Sequence, residues 1–288
     1  MFNPALHRLR LMRARKKFVA GDDFLMHRAV DDILERLSAV NMEFEDAVLL
    51  FGRTDDIASK VASNHQIHRL ARIEEEGEPD LAHQIAQPDQ LGLLPKSANL
   101  VIAPLTLHWS NDLPGSLIQI LRALKPNGLL LASLPGPDTL SELRQSMLQA
   151  ESELTGGAGR RIDPFTDIRD AGALLQRAGF SIPVVDQETV TVRYDTALDL
   201  IRDLRRFGAT LQLENNSTPR LNRAVFARMN EIYLQKFSDS DGRIRATFSM
   251  VSLSGWSPHE SQQKPLKPGS AKTRLADALK VQKFKLDD

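Results

Sequence analysis

The sequence has 288 residues, 42% of them apolar and 26% charged, so one large domain or two small ones can bury a sizeable core. Lysines plus arginines match aspartates plus glutamates at 37 each, which argues against a general nucleic-acid binder, and the lack of cysteine excludes disulfides, thiolate metal sites and cysteine nucleophiles. No apolar run approaches the roughly 18 residues of a membrane span.

Residues 1–21 hold no acid but carry Arg8, Arg10, Arg13, Arg15, Lys16 and Lys17. A basic start of this kind can be a mitochondrial presequence, although it lacks serine richness. Leu6, Leu9 and Met12 recur near helical spacing and predict an arginine-rich amphipathic helix that packs on the domain or touches an acidic partner or membrane surface. A second helix is predicted over 24–38, where Phe24, Ala29, Val30, Ile33, Leu34 and Leu37 share one face. The pattern then changes to short apolar runs. Residues 46–51 read as a strand buried on both faces, as do 129–134, and 67–73, 80–85 and 99–105 are further strand candidates. An amphipathic helix over 112–125 ends at the turn Pro126, Asn127, Gly128. This alternation predicts an α/β fold with a mostly parallel sheet and crossover helices.

Helices are expected over 139–153 and 167–178, with Thr139 and Glu142 spaced as a capping box and with Asp163, Pro164 and Phe165 at a helix opening. Residues 188–194 alternate like a half-buried strand, helices follow over 196–207 and 218–236, and 245–253 completes the sheet. The expected organisation is N-terminal helices over 1–38, an α/β domain over 39–254 with a helical insert at about 195–240, and an extended tail over 255–288 with a short helix at 273–281.

The stretch "LTLHWSNDLPGSLIQILRALKPNGLLLASLPGPDTLSELR" (105–144) resembles the Rossmann-like class I S-adenosylmethionine methyltransferases. With "FNPALHRLRLMRAR" near the start, "DPFTDIRDAGALLQRAGF" (163–180) and "GWSPHESQQKPLKPGSA" (255–271), the chain looks more narrowly like the mitochondrial complex I assembly factor five family and its bacterial relatives. The resemblance implies a seven-stranded sheet with an antiparallel last strand, S-adenosylmethionine as cofactor, and action on a peripheral-arm subunit of respiratory complex I. It further implies hydroxylation of an arginine of that subunit, in the cytoplasm of a bacterium or on the matrix side of a mitochondrion. The Leu-His-Trp and Asn-Asp-Leu-Pro elements are shared with the malonyl-carrier methyltransferases of the biotin pathway.

The family's Leu-Asp-Leu-Gly-Cys-Gly-x-Gly turn lets bare backbone approach the cofactor. Laid on this chain it puts Leu49 at the acid, Phe51, Arg53 and Asp55 at the three glycines, and leaves Gly52 at the cysteine. Arg72 falls where an acid binds the ribose, with Glu74, Glu75 and Glu76 close by as either a substitute or a solvated turn; Asp89 falls where an acid contacts the adenine. Gly52, Glu74, Asp89 and Leu105 are thus the candidate cofactor contacts. Asp55 and Asp56 suit the start of a helix and would repel the cofactor's carboxylate. His108 and Trp109 follow a strand directly and are candidate catalytic residues, a proton-transfer group and a flat pocket wall, while Asn111 and Asp112 are expected to cap the next helix. No metal site is expected: His65 and His68 have ligand-like spacing but lack a partner. Trp256, His259, Glu260 and Gln262 lie in a segment that could cover the pocket or reach a partner. Three functions compete: a cofactor-dependent modifier of a complex I subunit, a non-catalytic assembly factor with a decayed cofactor turn, and a small-molecule methyltransferase of the biotin type.

Overall fold

A computed structural model describes residues 1–19, 21–76, 83–165, 167–214 and 221–262. Two helices, α1 (Pro4–Lys16) and α2 (Phe24–Ser38), precede the sheet. Then follow β1 (Phe44–Leu50), α3 (Asp55–Ala62), β2 (Ile67–Glu74), β3 (His83–Ile85), β4 (Ala98–Ala103), α4 (Leu113–Ala123) and β5 (Leu124–Pro135). The second half comprises α5 (Ser141–Thr155), α6 (Ile168–Ala178), β6 (Ser181–Tyr194), α7 (Ala197–Arg206), α8 (Arg223–Phe237) and β7 (Ile244–Trp256). The seven strands form one sheet in the order β3-β2-β1-β4-β5-β7-β6, parallel except for β7, which runs antiparallel to both neighbours. This is the predicted α/β sheet with its reversed last strand. The central strands read as continuous apolar runs because helices cover both faces, and fully burying each Leu, Ile or Val contributes about 1.5–3 kcal/mol.

One face packs under α2 and α3, where Val30, Ile33, Leu37, Leu49, Ile57, Leu100 and Ile102 meet. The other packs under α4 and α6, and Phe51 is fully buried in that cluster. The segment between β6 and β7 builds a third cluster with α5, centred on Met147, Leu200, Met229 and Tyr233.

Several sequence expectations change in the structure. Leu9 and Met12 are exposed, and α1 buries His7, Leu11 and Ala14 instead. The capping box does not form: Thr139 donates to Ser249 O at 3.0 Å, and Glu142 reaches across to accept from Thr247 N at 3.0 Å. Asp167, not Asp163, caps α6, accepting from Arg169 N. Of 80–85, residues 83–85 form β3 and the others lie outside the described residues, as do 218–220 of the helix expected over 218–236 and all of 273–281. Because β7 is reversed, Trp256 pairs with Leu129 and Ser181, beside the start of β5, at the sheet edge away from the carboxyl ends of the parallel strands. The turn at 259–261 is local, with Ser261 Oγ 2.7 Å from His259 Nδ1.

Candidate functional site

Strand order reverses at β1, with β2 on one side and β4 on the other, and open α/β sheets bind ligands beyond the carboxyl ends of the strands at such a point. A cavity of about 940 Å³ lies there. Its walls come from the β1–α3 turn, the end of β2, the segment after β4, and parts of α1, α5 and α7. Gly52, Glu74, Leu105, His108 and Trp109 all line it. Asp89 does not: its Oδ1 accepts from Ser110 Oγ at 2.6 Å, Asn111 N at 2.7 Å and Asp112 N at 3.1 Å, which ties down the loop after β4. Asp112 caps α4 by accepting from Gly115 N at 2.9 Å, whereas Asn111 clasps the backbone of Phe2.

The β1–α3 turn is closed on itself. Phe51 and Arg53 adopt left-handed backbone with φ of 57° and 68°, the conformation a glycine would supply freely. Phe51 N donates to Ile73 O at 2.6 Å, Thr54 N to Gly52 O at 2.8 Å, and Arg53 N to Glu74 Oε2 at 3.0 Å. Glu74 uses its other oxygen to accept from Arg72 Nη2 at 3.1 Å, and Arg72 also pairs with Asp55. Gly52 is required by packing, since a Cβ there would stand 2.6 Å from Leu49 Cδ2. Thus the amides of Phe51, Arg53 and Thr54 are engaged, Glu74 is bound on both carboxylate oxygens, and the residues as arranged do not fit S-adenosylmethionine.

Arg53 turns its side chain into the site. Its guanidinium carbon sits 4.7 Å from the centre of the Trp109 ring, and Nη1 donates to Phe207 O at 2.8 Å. Nε and Nη2 are buried without a hydrogen-bond partner among the described residues. Burial lowers this guanidinium's pKa from its ordinary value, against the raising pull of Glu75 and then Glu74. His108 stacks on Trp109 at 4.0 Å, and its Nδ1 is also buried and unpartnered. Desolvation, then the charge of Arg53 and then His7, holds the His108 imidazole well below the usual histidine value, so the ring is neutral at physiological pH.

The triple glutamate is not a solvated turn: Glu74 and Glu75 are each 5% exposed. Glu75 Oε2 meets His7 Nε2 from α1, and His7 Nδ1 meets Gln212 Oε1. Gln212 Nε2 donates to Gly208 O at 2.9 Å, which fixes the amide with its oxygen toward the ring. The amino end is stitched down beside it by Asn3 N donating to Gln212 O at 2.8 Å and Glu214 N donating to Met1 O at 2.7 Å. Sequence reasoning did not single out His7 or Gln212, because the partners of His7 lie 68 and 205 residues away and no local pattern encodes them. Among the described residues no group of three or more His, Asp or Glu side chains is arranged to hold a metal ion, and no helix is long and apolar enough to cross a membrane.

Asp163 closes the wall by accepting from Gln212 N at 3.1 Å. Burial is the first cause that pushes its carboxyl from 3.8 up to about 6, against the lowering effects of that hydrogen bond, Arg10 and His7. The native state therefore holds a proton that the unfolded chain releases near pH 4, so stability falls as pH rises from about 4 to about 6. Asp163→Asn, which keeps the acceptor oxygen, is expected to remove that fall and to stabilise the protein above pH 7 by on the order of 2–3 kcal/mol. Thermal midpoints across pH 4–8 check this; parallel curves for the two proteins would refute it.

A methyltransferase domain model matches residues 58–132. The mitochondrial arginine hydroxylase NDUFAF5 of Dictyostelium discoideum is 41% identical over 198 residues, which are 67% of this chain and 44% of that protein. A malonyl-[acyl-carrier protein] O-methyltransferase of Gallionella capsiferriformans is 34% identical over 173 residues, 60% of this chain and 57% of that one. The chain spans about half the length of the curated relatives it matches. Among solved structures, the YcgJ protein of Bacillus subtilis superposes with a TM-score of 0.52 at 12% identity, covering 81% of this chain and 99% of that one, a likeness of fold alone. With β7 reversed between β5 and β6, the chain has the Rossmann-like class I methyltransferase fold and is similar, over two thirds of its own length, to the arginine hydroxylase NDUFAF5 of Dictyostelium discoideum.

Proposed function

We propose that this chain acts in the assembly of respiratory complex I by engaging an arginine of a peripheral-arm subunit, in the bacterial cytoplasm or on the matrix side of a mitochondrion. The observation that carries the reading is the cavity of about 940 Å³ beyond the strand ends, in a chain similar to an arginine hydroxylase. In this reading Trp109 supplies the rigid wall and neutral His108 the hydrogen-bonding group next to the bound side chain. The basic outer face of α1, with Arg8 and Arg13 exposed, is the surface for a peripheral contact.

S-adenosylmethionine is the cofactor that the domain implies. Gly52, Glu74 and Leu105 would be the nearest residues to it, and Asp89 would reach it only by leaving its three donors. The closed β1–α3 turn favours the second reading, in which the chain binds and holds its subunit without this cofactor. Calorimetric titration of the full chain with millimolar S-adenosylmethionine is expected to give no saturable heat. Saturable micromolar binding would restore the cofactor-dependent reading. The role itself is tested by capture: the tagged chain is expected to retain peripheral-arm complex I subunits from its host, and its deletion to reduce assembled complex I. Recovery of none of those subunits, with normal complex I in the deletion strain, would sink the proposal.

A further inference from the structure

We infer that Trp109, the Phe207 carbonyl and Glu75 form a receptor for a guanidinium group, that Arg53 fills it in cis, and that an arginine of a partner polypeptide displaces Arg53. The inference rests on the arginine-directed reading above and adds to it the receptor residues and the internal occupant.

A guanidinium is a flat cation with five N–H groups, and it is recognised by an aromatic face together with carbonyl and carboxylate oxygens in its plane. Each part is present. The ring of Trp109 lies 4.7 Å from the Arg53 guanidinium carbon, and Phe207 O accepts from Nη1 at 2.8 Å. Glu75 and then Glu74 supply the favourable charge at this guanidinium. All these side chains line the cavity, which gives a second guanidinium its way in.

Arg53 is nevertheless a poor tenant. It reaches the site from a left-handed backbone with φ of 68°, which a side chain other than glycine or asparagine adopts at a cost. Its Nε and Nη2, the edge that pairs side-on with a carboxylate, are buried and unmatched. Glu75 Oε1, a buried carboxylate oxygen, is unmatched as well. Unsatisfied donors on Arg53 and an unsatisfied carboxylate oxygen on Glu75 therefore coexist in one site, and each carries a desolvation penalty that no bond offsets. Arg53 is tethered at the turn and does not close the donor–acceptor pair. A guanidinium entering from the cavity on its own tether can stack on the same ring and donate to Glu75. Lysine lacks both the flat face and the paired donors.

The test uses the full-length chain with Arg53→Gly, a change that suits the left-handed backbone and empties the receptor. Arg53→Asn, also at home in that backbone, is the second variant should the first fail to fold. N-acetyl-arginine amide and N-acetyl-lysine amide are the probes, read by tryptophan fluorescence and by thermal shift. Either variant is expected to bind the arginine probe at least about tenfold more tightly than the parent chain, to ignore the lysine probe, and to lose the gain when Glu75→Gln is added. Equal affinity of variant and parent, no binding by a folded variant, or equal response to both probes would overturn the inference. Binding of the arginine probe by a chain that captures no complex I subunit would leave the receptor standing and remove the assembly role. Capture of a subunit without any probe binding would do the reverse.

Discussion

Phe51→Ala is expected to lower the free energy of unfolding by about 3–5 kcal/mol, the usual loss when a fully buried phenylalanine is truncated and its cavity persists. Phe51 is 0% exposed and packs within the cluster that includes Leu50, Ile73, Leu91, Ala103 and Leu107. The side chain stands where the family resemblance puts the first glycine of a cofactor turn. It is fully buried in the core cluster beneath the cavity that it helps to line, and its amide is taken by Ile73 O. Replacing it with glycine to recover the family pattern would ease the backbone at φ 57° and forfeit the ring's packing, so the net effect stays strongly destabilising. Urea unfolding with an unchanged slope is the measurement; a loss under about 1 kcal/mol would show that the ring does not fill the core as described.

The second large effect belongs to the contact between α1 and β2. His7 and Glu75 are 3% and 5% exposed, and both ring nitrogens of His7 face oxygen acceptors. Each ring nitrogen thus has its own oxygen partner, Glu75 Oε2 at Nε2 and Gln212 Oε1 at Nδ1. Truncating either partner strands the other in a poorly solvated place, and His7→Ala and Glu75→Ala are each expected to cost about 3–5 kcal/mol. The double variant is expected to cost less than the sum, with a coupling of about 1–3 kcal/mol. Because this pair holds α1 against the cavity, His7→Ala is also expected to speed proteolytic cutting within the first twenty residues. Additive losses, or an unchanged cutting rate, would show that the pair does not fasten the helix.

The sheet was legible in the sequence because its strands are buried on both faces, which turns 46–51, 99–105 and 129–134 into apolar runs; Pro126, Asn127 and Gly128, expected as a turn, instead lie within β5 at a register shift, with Asn127 left-handed at φ 62°. The outer elements were harder for a physical reason. The face of α1 that goes inward is chosen by His7 and Leu11, and the histidine is drawn in by Glu75 and Gln212, which helical periodicity cannot register. Glu142 has the spacing of a cap, but β7 passes close enough to take its carboxylate. The three glutamates look solvated by composition, yet two are buried because α1 and the β1–α3 turn each bring a donor to them. In the site, the loss of glycines could be read directly. What replaced them could not, since Arg53 becomes an internal occupant only when Trp109, 56 positions away in the chain, and Phe207 are folded around it.

Helix α2 is anchored at both ends. Near its carboxyl end Arg36 binds Asp186 of β6 at 2.6 Å and Asp32 at 2.8 Å, and Asp32 accepts from Ser252 of β7 at 2.8 Å. At its amino end Asp23 accepts from Thr54 Oγ1 at 3.2 Å, and His27 pairs with Asp56 at 3.1 Å. A 15-residue helix is a stiff rod about 22 Å long. The outer border strand and the turn that carries Arg53 are thus joined by one strut, and a shift of either end is felt as leverage at the other.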